Sequence, residues 1–383
     1  MQLAEIEATN FRNLTGKIVW GSQLNIIYGN NGHGKTGWLE AIHVLARTKS
    51  FRTQRLQEAI RFGERTATIC GRVLVAADLE RNLQVTLQDN SKAIFVNAKR
   101  EPLARYLSQL QVFSFTAADL EVVRGMPEAR RRFLDRGISS IQPAYLQTIA
   151  DYSRVVKQKN KLLQQASENE FSLEKVSDLV APWNDQLIEL GAVIHNQRLK
   201  YVRELNDTLE RQFFDRRALA VRYVSSLEGK GNPEEYEAAL RSRIALRLPA
   251  ELAVGHCLVG PHRDDLEIVL DGHEIRVYGS SGQQRSALII LDLAAISVYY
   301  SWHNEYPLFL IDDVDAELDR KRISYLLEYL EGRTQTFITT SKESLVEQFV
   351  KRANVYKVNS GSIISDASET ELISSATRST EGI

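Results

Sequence analysis

Gly29-Asn30-Asn31-Gly32-His33-Gly34-Lys35-Thr36 is a complete G-x-x-x-x-G-K-[ST] stretch. The run Leu24-Asn25-Ile26-Ile27-Tyr28 before it reads as a short buried strand, and Trp38-Leu39-Glu40-Ala41-Ile42-His43-Val44-Leu45 after it reads as a helix. That strand–loop–helix context is what a phosphate-binding loop requires. The glycines let backbone N–H groups wrap a polyphosphate, and the helix start adds partial positive charge. Lys35 is placed to reach the β- and γ-phosphates and Thr36 to offer its hydroxyl to Mg²⁺. His33 is a variable position that contributes only its backbone. The expected ligands are ATP and Mg²⁺.

Working outward, residues 1–120 read mostly as strands: Leu3–Thr9, then Thr66–Val75, Leu79–Leu87 and Ala93–Val96, separated by turn signals such as Gln88-Asp89-Asn90. Their short spacing predicts antiparallel pairing. From about Pro127 to Phe214 apolar residues recur at helical spacing, with interruptions expected at Glu168–Ser177 and at Ala181-Pro182. A strand at Ala218–Val224 and a helix near Pro233–Leu246 follow. Beyond Leu258, strands at Leu266–Leu270, Ile275–Val277, Leu308–Ile311 and Thr336–Thr339 alternate with helices from Gly282 and Leu318, an α/β pattern. The tail from Asp366 is rich in Ser, Thr and Glu and is expected to be poorly ordered.

The bulk numbers exclude several classes. At 383 residues, with 43% hydrophobic and 25% charged residues, the chain suits a large soluble core with an inserted lobe. Its formal net charge of −1 means that any nucleic-acid affinity must come from a local basic face. Cys70 and Cys257 stand alone and fit a reducing cytoplasm without disulfide or zinc framework. The N-terminus does not read as a signal peptide, and no apolar run approaches a membrane span.

The second half of the nucleotide site is expected near the chain's end. Pro307-Leu308-Phe309-Leu310-Ile311 is an apolar strand ending in Asp312-Asp313. Asp312 is assigned to Mg²⁺ opposite Thr36, and Asp313 to orienting the attacking water. Between the two halves, Ser280-Ser281-Gly282-Gln283-Gln284-Arg285 opens a helix with small residues. Ser280, Gly282 and Gln283 can offer an anion site there, although a plain capped helix fits equally well. The order of phosphate loop, signature and acidic strand resembles ATP-binding-cassette ATPases, in which one subunit's signature covers the γ-phosphate held by another. Ala316-Glu317-Leu318-Asp319 then looks like the D-loop of that class.

Further motifs are Asn10-Phe11-Arg12-Asn13-Leu14, Gly125-Met126-Pro127 with Arg131-Arg132-Phe133-Leu134-Asp135, and Val259-Gly260-Pro261-His262-Arg263-Asp264-Asp265-Leu266. With the nucleotide motifs, and in this order, they make the chain similar to the RecF family of bacterial recombination-mediator ATPases over nearly its whole length. Gly37, Ser281, the stretch Phe115-Thr116-Ala117-Ala118-Asp119, which lacks a usual proline, and Lys159-Asn160 depart from the family pattern without removing a phosphate or metal ligand. The resemblance implies an α/β ABC-type, Rad50-like head: a mixed-sheet core with an antiparallel β lobe plus an inserted mainly helical lobe. We expect residues 1–120 and 251–365 in the ATPase lobe, 121–250 in the helical lobe, and 366–383 as a tail. It further implies ATP-dependent homodimerisation, weak DNA-stimulated ATP hydrolysis with Lys35 and Asp313 catalytic, and work with RecO and RecR at gapped or single-stranded DNA in repair, replication restart and SOS induction. Two other readings stay open: a nucleotide-switched protein with negligible turnover, since Asp313 replaces the more usual glutamate, and a transporter subunit, which the absence of a histidine at Thr339-Thr340-Ser341 disfavours.

Three features are read from the residues alone. Arg12 and Phe11 could touch the adenine or ribose. Arg124, Arg130, Arg131, Arg132 and Arg136 could form a basic stripe for DNA phosphates, although ion pairing would consume part of it. The stretch from Gly260 to Asp265 is either a structural turn or an interface element, and His262 lacks partners at metal-ligand spacing.

Overall fold

Local sequence accounts for the two sheets of the ATPase unit. In the computed structural model, residues 1–76, 79–89, 91–209, 218–229 and 235–364 are described. Asn90, Phe214, Pro233 and the tail from Asp366 lie outside them. One sheet has six strands in the order Ser362–Ile364, Ala353–Asn359, Leu24–Tyr28, Thr336–Thr340, Leu308–Ile311, Val112–Phe115. All neighbours are parallel except the hairpin formed by the first two. Ile26 and Ile27 are fully buried because helices or sheet cover both faces, which is why this strand is a continuous apolar run rather than an alternating one. The phosphate loop leaves the carboxyl end of Leu24–Tyr28, and Asp312 leaves the carboxyl end of Leu308–Ile311. Only Thr336–Thr340 separates these two strands, so the halves of the site converge where open α/β sheets bind ligands.

The other sheet of this unit has six antiparallel strands, ordered Leu14–Val19, Gln2–Phe11, Thr66–Ala76, Leu79–Gln88, Ser91–Val96, Lys99–Arg100. The antiparallel pairing expected from the turn spacing is present. Leu3, Ile6, Ala8 and Phe11 turn inward, and the period shifts at irregularities beside Leu3 and Thr9. The helix Lys35–Arg47 joins both sheets in one core, with Trp38 and Ile42 fully buried alongside Leu3, Leu308 and Phe337. Phe11 belongs to this core, so it is not a platform for the base.

The second compact unit, Ala117–Tyr306, is mainly helical. Its long helices are Pro127–Ile141, Tyr145–Glu168, Leu173–Leu209, Tyr236–Val254 and Ser281–His303. A three-stranded antiparallel sheet joins them: His273–Glu274, Asp265–Leu270, Leu219–Val224.

Four expectations need correction here. Residues 251–306 lie in this unit rather than with the ATPase lobe, because Asp265–Leu270 pairs along its length with Leu219–Val224. The helix Leu173–Leu209 runs through Pro182 without a break; buried Val176, Val180, Leu187 and Ile188 on both sides of the proline hold its face. Ile275–Tyr278 is a single helical turn closed by Gly279 N–H donating to Ile275 O at 2.9 Å, not a strand. Finally, Ser281–His303 is long and apolar enough to cross a membrane by length and composition, but 67% of its apolar window is buried inside the protein, as in a core helix.

Candidate nucleotide site

The phosphate loop owes its shape to its glycines and to a turn near the far end of the chain. Gly34 adopts φ 105° at the head of the helix Lys35–Arg47, which has no side-chain cap and no acidic residue in its first turn. Its first N–H groups are therefore left for an anion. The turn between Ala353–Asn359 and Ser362–Ile364 clamps the loop from outside. Gly361 N–H donates to His33 O at 2.8 Å, and Trp38 Nε1 donates to Gly361 O at 3.2 Å. A Cβ on Gly29 would stand 2.4 Å from Val358 O, so only glycine fits there. Asn31 and Gly32 form the exposed crest of the loop. His33 contributes its backbone N–H to Asn30 O and its carbonyl to the clamp, as expected of a position read as backbone only.

Lys35 is 7% exposed, and its Nζ donates to Gly29 O at 2.8 Å and Asn30 O at 3.1 Å. Burial lowers its pKa, while Asp313, Asp315 and Asp312 oppose that shift. The ammonium thus sits in the loop's mouth, held by carbonyls that a phosphate can replace.

Thr36 Oγ1 donates to Asp312 Oδ1 at 2.8 Å, bringing the two predicted metal residues together. Thr339 Oγ1 donates to the same oxygen at 2.7 Å and accepts from Asp313 N–H, also at 2.7 Å. One threonine therefore orients both members of the acidic pair. A hydroxyl and a carboxylate are hard oxygen donors, so Thr36 and Asp312 fit Mg²⁺ held mainly through water and phosphate. Such a site needs no larger cluster, and no group of three or more His, Cys, Asp or Glu suited to a metal occurs among the described residues. Asp313 is exposed and takes φ 50°, ψ 50°, a left-handed conformation that aspartate tolerates better than most residues.

Arg12 is anchored to the phosphate-loop helix. It forms a bidentate pair with fully buried Glu40, Nε to Oε2 at 3.0 Å and Nη2 to Oε1 at 2.8 Å. It therefore ties the end of Gln2–Phe11 to the phosphate-loop helix.

Ser280, Gly282 and Gln283 lie in the other unit, at the start of Ser281–His303. They form a capping box: Gln283 N–H donates to Ser280 Oγ at 3.3 Å, and Ser280 N–H donates to Gln283 Oε1 at 2.7 Å. The capped-helix reading is thus realised in this state, with Ser280 exposed. Asp319 likewise caps Arg320–Leu330 by accepting from Arg322 N–H.

The arginine stripe does not form. Arg130 is 3% exposed and bidentate to Asp265, Arg131 donates to Asp264 O, and Arg136 pairs with Asp119 and Asp292. Arg124 and Arg132 pair with Glu121 and Glu128 within their own helices. The stretch around Gly260 is a structural node. Asp264 is fully buried and accepts from Tyr223 Oη and Ser226 N–H, while Arg263 donates to Cys257 O. His262 bonds Tyr152 Oη at 2.7 Å, and burial holds its pKa down at about 4.

Sequence reasoning missed Thr339, Gly361 and Asp315. Thr340 and Lys342 bind Asp315 beside the acidic pair. Only the tertiary fold brings them to the site. A cleft of about 620 Å³ between Gln23, Leu330 and Phe349 lies at the amino ends of the parallel strands and carries none of this chemistry.

Known proteins agree with this geometry. The family described as RecF/RecN/SMC N terminal domain matches residues 2–364. The DNA replication and repair protein RecF of Lactobacillus johnsonii is 36% identical over 375 residues, covering 95% of this chain and 99% of its own. That of Oceanobacillus iheyensis is 34% identical over 377 residues, covering 94% and 99%. Among solved structures, the recombination mediator protein RecF with ATP, from the RecFOR pathway, has a TM-score of 0.84 at 30% identity, covering 94% of this chain and 96% of its own. An Smc head bound to the C-winged helix domain of ScpA, at 15% identity, has a TM-score of 0.55 and shares the fold. Matched by this family over residues 2–364 and by these relatives over nearly their whole length, the chain belongs to the RecF family of ABC-type ATPase heads.

Proposed function

We propose that this protein binds ATP with Mg²⁺, dimerises on it, and acts as a recombination mediator at gapped or single-stranded DNA together with RecO and RecR. The observation that carries the reading is the convergence of buried Lys35, the Thr36–Asp312 hydrogen bond and exposed Asp313 at the mouth of one loop. Lys35 and the uncapped helix start neutralise the triphosphate, and Mg²⁺, held by Thr36 and Asp312, supplies further charge neutralisation when bound. Asp313 orients a water towards the γ-phosphate. In the dimer, Ser280 and Gly282 of one subunit cover the γ-phosphate held by the other.

A second reading, a switch with negligible turnover, draws on Asp313 itself. Its carboxylate is one methylene shorter than glutamate and sits on a left-handed backbone, so it reaches less far towards a water. In either case the work takes place in the cytoplasm. ATP turnover measured with and without gapped DNA separates the two: DNA-stimulated release of phosphate supports the mediator ATPase, and ATP binding with negligible turnover in both conditions supports the switch. Neither ATP binding nor an effect of DNA would contradict both.

A further inference from the structure

The segment that follows the phosphate-loop helix carries five cations, Lys49, Arg52, Arg55, Arg61 and Arg65, against two carboxylates, Glu58 and Glu64. Unlike the arginines of Pro127–Ile141, three of these cations are uncompensated. Lys49, Arg55 and Arg65 are exposed, and none has a carboxylate partner among the described residues. Lys92 adds a further cation beside Lys49: its Nζ donates to Thr48 O and Oγ1, and burial followed by the charge of Lys49 lowers its pKa. Exposed cations without carboxylate partners, concentrated in one short segment, attract a polyanion.

The same segment presents an aromatic ring. Arg61–Glu64 is a turn closed by Glu64 N–H to Arg61 O at 3.0 Å, with Gly63 at φ 87°. Phe62 stands at its tip with relative exposure of 103%. A phenyl ring wholly in water at a turn tip does nothing for the fold, but it is the group on which an unpaired base stacks.

The segment is also held rigidly. Glu40, in the phosphate-loop helix, accepts from Ser50 Oγ at 2.5 Å and from Arg52 Nη1 at 3.4 Å as well as from Arg12. Arg61 donates to Arg12 O, Leu14 O and Thr15 Oγ1. Ordering costs on binding are therefore small.

We propose that residues 49–65 form a DNA-contacting surface in which Lys49, Arg55 and Arg65 bind backbone phosphates and Phe62 stacks on an unpaired base. This assignment rests on the DNA-binding function proposed above and names its surface. An acidic protein partner would use the cations but would not need a flat ring at the tip.

The test compares wild type, Lys49→Gln/Arg55→Gln/Arg65→Gln, the charge-conserving Lys49→Arg/Arg55→Lys/Arg65→Lys, and Phe62→Ala for binding to gapped DNA, duplex and single strand in the presence of ATP. ATP affinity serves as the control for folding. Each lost phosphate contact removes about 0.9 from the salt slope on duplex, so the triple Gln variant loses about 2.7. Between 50 and 200 mM salt its affinity then falls roughly 40-fold less than that of wild type. At 50 mM it binds at least about tenfold more weakly, and the charge-conserving variant binds like wild type. Phe62→Ala weakens binding to gapped and single-stranded DNA about five- to tenfold and leaves duplex unchanged. Wild-type DNA affinity and salt slope in the triple Gln variant overturn the surface while leaving the function intact. Loss of binding by both triple variants alike also overturns it. A wild-type protein that binds ATP but no DNA overturns the function itself.

Discussion

Replacing Gly361 by alanine tests whether the distant turn shapes the phosphate loop. The new Cβ would stand 1.9 Å from Asn13 O, where ordinary contact begins at 3.4 Å, so the turn must retreat by more than an ångström from a backbone atom that cannot rotate away. The residue also sits at φ 87°, which costs a non-glycine residue about 1–2 kcal/mol. Retreat breaks or stretches the hydrogen bonds to His33 O and from Trp38 Nε1, each worth about 0.5–1.5 kcal/mol. The total is about 2–5 kcal/mol, a fall in Tm of roughly 5–15 °C for a unit of this size. Because His33 lies within the loop, a displacement of about 1 Å should also weaken ATP binding on the order of 100-fold. Calorimetric unfolding and ATP titration measure the two effects. Gly332→Ala is the control, since Gly332 shares the positive φ but its Cβ would meet nothing within 4 Å. If Gly361→Ala melts and binds ATP like Gly332→Ala, the clamp has no part in shaping the loop.

Asp313→Asn should keep ATP affinity within about twofold while slowing turnover at least about 100-fold in single-turnover assays, since asparagine suits the left-handed backbone but cannot act as a base; unchanged turnover would move the catalytic role elsewhere. Ser280→Arg should bind ATP as a monomer yet fail to dimerise with a non-hydrolysable analogue, because its bulk blocks the partner's γ-phosphate at both symmetric sites. A dimer of normal stability would reduce Ser280 to a helix cap. Stability should also depend on His195, which is buried and stacked on Tyr236 with ring centroids 3.7 Å apart. Burial, then the charge of Arg198, lowers its pKa from 6.5 to about 4. The unfolded chain therefore takes up the proton first: the stabilisation is complete above pH 6.5 and is lost as pH falls towards 4. His195→Phe should flatten the slope of Tm against pH in that window, and an unaltered slope would show that the ring does not titrate in the fold.

The site was legible in the sequence where it is local. The phosphate loop, its strand and its helix occupy adjacent residues, and Asp312-Asp313 ends a strand whose apolar run announces it. What holds them is not local. Thr339 reaches Asp312 across a strand pairing, and Gly361 reaches His33 from a hairpin at the far end of the chain. Charge clusters misled for the same reason. Arg130 looks free in sequence, but its partner Asp265 is 135 residues away. Lys49, Arg55 and Arg65 are spread among polar residues and do not stand out until their lack of carboxylate partners among the described residues is visible. Periodicity failed only where runs were short: Ile275–Val277 has strand composition, but no room remains between the hairpin ending at Glu274 and the cap at Ser280 for more than one helical turn. The boundary at residue 250 was misplaced because Asp265–Leu270 resembles the ATPase strands in composition, and only its pairing with Leu219–Val224 reveals its unit.

The central claim is that ATP at the phosphate loop drives two copies of this chain together. Sedimentation velocity with and without Mg²⁺ and a non-hydrolysable ATP analogue tests it most directly, with Lys35→Ala in parallel. The account predicts a monomer without nucleotide, a dimer with it, and a monomer in both conditions for Lys35→Ala, whose loss removes the charge that neutralises the β- and γ-phosphates. The same sedimentation coefficient for the wild-type protein with and without nucleotide, under conditions where titration shows the analogue bound, would contradict it.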